Sequence, residues 1–125
     1  MGIRLVAHAL EEVDIARYQL AHELVHCLAP TGESSALVVE EGAATRYQQG
    51  YSKKHLGGRV WLNSEKYKKA LYLYNELTKQ QSGAVKRLRR IEPCFFNWTH
   101  ETFELAGMSF NDEIERQLLT RFDEF

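Results

Sequence analysis

No glycine or proline interrupts the chain from Ile3 to Ala29, and Pro30 follows at once. This run constrains the fold more than any other feature. It can continue as one helix until the proline removes an amide donor and clashes with the turn before it. Within it, Leu10, Val13, Leu20, Leu24 and Leu28 recur near helical spacing and predict an apolar stripe facing a core. Ile15, Tyr18, His22 and His26 trace a second line beside that stripe. Glu11, Glu12 and Asp14 lie toward the N-terminal side, where negative charge suits the helix dipole. Ile3 to His8 reads either as the start of this helix or as a short strand.

The run carries His22-Glu23-Leu24-Val25-His26, an HExxH pentad. Two histidines four positions apart on a helix project from one face, a turn apart, so their imidazoles can chelate a single Zn²⁺. The glutamate beside the first is then placed to act on a water at the metal. A hydrolytic zinc site has three protein ligands and leaves the fourth position for water. The next carboxylates are Glu33, Glu40 and Glu41. Ser34 or Ser35 can cap a second helix running from about Ala36 to Gln49. The short connection makes the two helices antiparallel, so the start of the second faces the end of the first. Glu40 or Glu41 then comes within reach of His26.

These residues resemble a known family. HELVH followed by Val38-Val39-Glu40-Glu41-Gly42-Ala43-Ala44-Thr45-Arg46-Tyr47 looks like the gluzincin class of zinc metallopeptidases. In its aminopeptidase branch, a helix carrying a segment of the form NEGFAxY follows the HExxH helix. The resemblance covers about Ile15 to Tyr51. It implies Zn²⁺ held by His22, His26 and Glu41, with Glu23 as general base. Gly42 would allow the two helices to approach closely. Thr45 stands where thermolysin-like enzymes carry an aspartate that orients a ligand histidine. Zincin peptidases also place a small sheet before the HExxH helix, and only Ile3 to His8 is available for it here.

Peptide hydrolysis also needs a donor for the carbonyl oxygen as negative charge builds on it, typically Tyr, His or Arg. The sequence offers His55, Tyr67 and His100, with Tyr72 and Tyr74 behind them. Tyr67 and Tyr74 fall on the apolar face of a third helix and read as core. His55 lies in a loop expected from Tyr51 to Gly58, able to close over a substrate.

The rest of the chain predicts helices. Ser64 caps a third one reaching about Gln80, and Ser82-Gly83 breaks it. A fourth runs from Ala84 to Ile91 and stops before Pro93, with Lys86-Arg87-Leu88-Arg89-Arg90 as its solvated face. Thr99 caps a fifth that ends at Gly107, and Asn111 a sixth in which Ile114, Leu118 and Phe122 recur. Arg59 to Leu62 is the one other strand signal. Cys27 reads as core packing, and Cys94 to Trp98 as core and loop.

The fold class expected is mainly α: one compact zincin-like domain over residues 1–125, alone or within a larger protein, with little or no sheet. A net charge of −1 gives no strong attraction to nucleic acid or membrane, so neither is expected as a partner. No apolar run is long enough to span a membrane and no signal peptide is visible, which predicts a cytoplasmic protein. Two functional readings follow. One is a zinc-dependent metallopeptidase acting on a peptide or protein substrate. The other is a non-catalytic zincin-like domain that binds other proteins.

Overall fold

The computed structural model describes residues 3–28, 36–60, 64–80 and 83–125, with the helical backbone alone for residues 3–10. Six α-helices follow one another: α1 (Ile3–His26), α2 (Val38–His55), α3 (Glu65–Gln80), α4 (Ala84–Ile91), α5 (His100–Leu105) and α6 (Asp112–Leu118). Short 3₁₀ turns cover Phe95–Asn97 and Phe122–Glu124. The described residues contain no strand, only an isolated antiparallel bridge between Leu37 and Arg121. Ile3 to His8 is the first part of α1, because nothing there breaks a helix. Arg59 and Val60 form no strand, and residues 61–63 lie outside the described set.

α2 is the central element. α1 lies antiparallel to it: His26 reaches Glu40 at one end and Arg17 reaches the Tyr51 hydroxyl at the other. α3 runs parallel to α2, since Gly42 abuts Ala70 while Arg46 donates to Asn75 and Thr78 further along. The connection after Leu56 therefore returns the chain to the end at which α2 begins. The close approach that Gly42 permits is made to α3, not to α1. A Cβ there would sit 2.5 Å from the Ala70 carbonyl oxygen.

α1 packs through Tyr18, Ala21, His22 and Val25, all buried, while Val13, Leu20, Leu24 and Leu28 face outward. The leucine stripe expected to be core is thus exposed. The reason lies in α2, whose facing side is polar (Glu40, Glu41, Gln48) and takes the histidine line instead. Cys27 is likewise exposed rather than core.

The start of α2 is held from outside. Its N-cap is Leu37, which has no side-chain cap, and Ser34 and Ser35 lie outside the described residues. Val38 N–H donates to the Thr120 carbonyl and Phe122 N–H to the Ala36 carbonyl, each at 2.8 Å. The C-terminal segment therefore satisfies the first free amide of α2 and ties the residue before its cap in place. Under α2 and α3 lies the apolar core, including Val39, Leu73, Leu77, Leu88, Phe95, Trp98, Phe103 and Leu118. α4 and α5 are joined by Arg87, which donates to the Ala106 carbonyl at 2.6 Å, while Arg89 stacks over Phe95. The basic run of α4 is therefore only partly a solvated face.

The predicted ends of the short helices recur in the structure. Thr99 and Thr102 form the cap of α5, and Gly107, at φ +72°, closes it. The Asn111 side chain accepts from Ile114 N–H at the start of α6. α6 ends at Leu118, however, and Phe122 belongs to the 3₁₀ turn that packs on Tyr67. No helix among the described residues is long and apolar enough to cross a membrane.

Candidate metal centre

The end of α1 and the start of α2 bring His22, His26, Glu40 and Glu41 together beneath α3. His26 Nε2 is 2.8 Å from Glu41 Oε1, and His22 Nε2 is 3.2 Å from Glu41 Oε2. One carboxylate thus faces both Nε2 atoms. His22, His26 and Glu41 can each offer an atom to a metal, all within 4.8 Å of one another. His22 and Glu41 are buried and His26 is half-buried.

The other nitrogen of each ring is engaged separately. His26 Nδ1 donates to Glu40 Oε2 at 2.6 Å. His22 Nδ1 is 3.4 Å from Gln48 Oε1, and Gln48 Nε2 donates to the Tyr18 carbonyl at 2.9 Å. That second bond orients the amide, so its oxygen is the acceptor and His22 Nδ1 the donor. His22 Nε2 faces the Glu41 carboxylate, a contact that a proton on Nε2 or a bound cation satisfies.

Such partners on the far side of ligand histidines fix the ring and its tautomer, and their loss typically costs about 10–100-fold in metal affinity. Replacing Glu40 with glutamine is expected to weaken zinc binding by about that factor, read by competition with a chromophoric chelator. Thr45 has no such part: its hydroxyl donates to the Glu41 carbonyl at 2.8 Å.

The charges in the cluster follow from these contacts. Hydrogen bonds to Glu40 and then Glu41 raise His26 to about 10, against the opposing effect of burial. Burial acts to raise Glu41, but hydrogen bonds from His22 and His26 outweigh it and bring its carboxyl down to about 2. Both shifts bear on the stability of chelator-treated protein. A histidine raised on folding contributes fully below its usual 6.5, and the contribution is lost as pH climbs through about 10. A carboxyl lowered on folding contributes above its usual 4.5, and the contribution is lost as pH falls through about 2. Metal-free protein should therefore draw most from this cluster between pH 4.5 and 6.5, and a His26→Ala variant should flatten the urea midpoint-against-pH curve on the alkaline side.

Tyr67 joins the cluster because α3 starts beside α2. Its ring meets His22 edge-on at 5.5 Å, and Phe122 backs it at 4.8 Å. Burial, the Glu41 charge, a hydrogen bond to Glu41 and the more distant Glu23 charge raise its phenol, in that order, so it stays an O–H donor. It is half-buried at the cluster rather than plain core. Glu23 lies on the exposed side of α1 next to His22.

The other candidate donors lie elsewhere. His55 is the last residue of α2, roughly 21 Å along the helix axis from Glu41, and its ring rests on Tyr51. It belongs to the helix, not to a loop, because nothing from Tyr51 to His55 breaks it. His100 is exposed and engaged through both ring nitrogens, by Glu115 at 2.6 Å and Glu104 at 2.9 Å. Glu33 lies outside the described residues.

Sequence reasoning had not singled out Gln48 or the position of Tyr67. Gln48 carried a signal: Glu41, Thr45, Gln48 and Ser52 are polar at helical spacing, and all four are buried. Tyr67 carried none, since its place depends on the direction of α3. The chain matches no protein-family model, no curated protein and no solved structure.

Proposed function

We infer that this protein is a zinc-dependent peptide-bond hydrolase. The observation that carries the reading is the convergence of both histidine Nε2 atoms on the Glu41 carboxylate, with both Nδ1 atoms engaged elsewhere. The donor set suits zinc: two imidazole nitrogens and one carboxylate, with a fourth position left for water. Tetrahedral zinc with bonds of about 2.0–2.1 Å needs its ligand atoms roughly 3.3 Å apart. One ligand atom from each of His22, His26 and Glu41 lies within 4.8 Å of the other two, so modest side-chain rotations bring the set to that spacing.

Bound there, zinc would act as a Lewis acid and lower the pKa of a water toward neutrality. The chain's own residues supply the rest. The Glu23 carboxylate takes a proton from the attacking water and passes it to the leaving amine. The Tyr67 hydroxyl donates to the carbonyl oxygen as it gains charge. Glu40 and Gln48 hold the imidazoles in orientation.

The test is zinc content of protein purified without added metal. The wild type should carry about one equivalent, while His22→Ala and Glu41→Ala should each lose most of it, because two ligands make a poor zinc site. Wild type without zinc at micromolar concentrations would reject the reading. A protein that holds zinc but cleaves nothing in a broad peptide library would instead be a zincin-like binding domain.

A further inference from the structure

Two hollows lie side by side on α2. One, of about 780 Å³, has Tyr47 and Tyr51 along it. The other, of about 630 Å³, reaches Thr78 and Lys79 on α3. Arg46, Gly50 and Lys53 line both, so the two form one trough of the size that ligands occupy. It is separate from the candidate metal centre. Gly50 stands nine positions after Glu41, about two and a half turns on, and so on the opposite side of the helix.

Gly50 forms the floor. A glycine inside a helix costs stability relative to alanine, and close packing commonly explains it, as at Gly42. No packing explains Gly50, where a Cβ would meet nothing within 4 Å. What the missing side chain leaves is depth in the trough.

The lining is cationic. From Gly42 to Ser64 the chain has Arg46, Lys53, Lys54 and Arg59 and no Asp or Glu. Arg59 faces Glu11 at 2.9 Å. The other three line the trough together with Lys79, and among the described residues no carboxylate does. Cations suit the last turn of a helix, which accounts for Lys53 and Lys54 but not for Arg46, about two turns earlier. Arg46 is anchored: its Nη1 donates to Asn75 Oδ1 at 3.0 Å and to Thr78 Oγ1 at 2.7 Å, and its guanidinium lies over Tyr74. Those bonds use both Nη1 hydrogens and leave Nε and Nη2 to serve an anion.

The spread of the cations selects the ligand. Arg46 and Lys53 are roughly 10 Å apart along the axis, so they meet separate anions rather than one phosphate group. The floor is the flank of a helix, whose amides are spent in its own hydrogen bonds and cannot cradle a phosphate. Stacked bases need open ring faces. Arg46 lies over Tyr74, while Tyr51 has Arg17 over it at 5.7 Å and His55 against it at 4.8 Å. An extended peptide advances about 3.3 Å per residue, so carboxylates a few positions apart reach successive cations. Tyr47, 49% exposed, offers apolar surface to an uncharged side chain between them. We propose that the trough over Gly50 binds an acidic, extended peptide segment of a partner protein.

Hexaglutamate titrated into nitrogen-15-labelled protein should give saturable amide shifts from Arg46 to Lys54 at about 20 mM salt, with affinity falling about tenfold by about 200 mM. Lys53→Glu with Lys54→Glu should weaken binding by about tenfold or more, since each change turns attraction into repulsion at an exposed position. Gly50→Leu fills the floor, keeps the helix and leaves the charge alone, and should weaken binding by a similar factor. The circular dichroism of both variants should match that of the wild type. No shift up to about 10 mM hexaglutamate would overturn the proposal. So would shifts centred on Glu41 or on the cations of α4, or binding indifferent to either variant. Tighter binding of hexathymidylate in the trough would also overturn it, by making this a nucleic-acid site.

Discussion

Replacing Glu23 with glutamine is expected to lower kcat/KM for peptide hydrolysis by about 10²–10⁴-fold while zinc content stays at the wild-type level. The change is isosteric and lies on the exposed side of α1, so the helix and its packing are untouched. What it removes is the capacity to accept a proton. An amide cannot take one from water at neutral pH, and it cannot deliver one to the amine that leaves. Metal analysis and steady-state assays on the same preparation separate this effect from damage to the site. Unchanged activity with zinc in place would assign the base elsewhere. Lost zinc would make Glu23 part of the metal's surroundings rather than the proton carrier.

Gly42→Ala should destabilise the fold by about 1–3 kcal/mol, through overpacking rather than through helix propensity. Propensity favours alanine inside a helix by up to about 1 kcal/mol. Overlap opposes it and wins, because the new Cβ would lie 2.5 Å from the Ala70 carbonyl oxygen and 2.7 Å from Tyr74 Cβ. A backbone oxygen in a packed helix cannot rotate aside, so α2 and α3 must separate. Glu41 precedes the substituted residue and Tyr67 lies one turn before Ala70, so the separation acts on the candidate metal centre as well. Thermal denaturation should show a fall of roughly 5–15 °C, and zinc affinity should fall with it. Gly50→Ala is the matching control. It lies in the same helix with nothing within 4 Å of a Cβ, and should be neutral or stabilising by up to about 1 kcal/mol.

These two positions illustrate which parts of the molecule local sequence controls. The shared face of His22 and His26, with Glu23 beside it, was legible because residues four apart on a helix lie one turn above the other, and an unbroken run makes that stretch a helix. The need for a small residue at Gly42 was legible too, but not the neighbour it serves. Local signals also fixed most helix ends: Pro93 after α4, Thr99 and Gly107 around α5, Asn111 before α6. Each acts through hydrogen bonds or backbone angles within a few residues, so it depends little on distant parts of the chain.

What depended on distant contacts could not be read this way. The leucines of α1 have the spacing of a core face, yet the core took the histidine line, because the partner helix offers carboxylates and an amide rather than an apolar surface. Glu40 sits beside Glu41 in sequence and became the orienting partner of His26 only through the antiparallel hairpin. Tyr67 reaches the cluster because the chain after Leu56 returns to run α3 parallel to α2, and Phe122 supports it because the C-terminal segment pairs with Leu37. By itself, the sequence determined most of the helices, the bounds of α4 and α5, the start of α6 and the pairing of the imidazoles, since those rest on short-range geometry. Tertiary structure alone decided which face of α1 is buried, which acids and which phenol surround the imidazoles, and which apolar row stays in water. Those outcomes turn on the direction and packing of whole elements, and that free energy is summed over residues far apart in the chain.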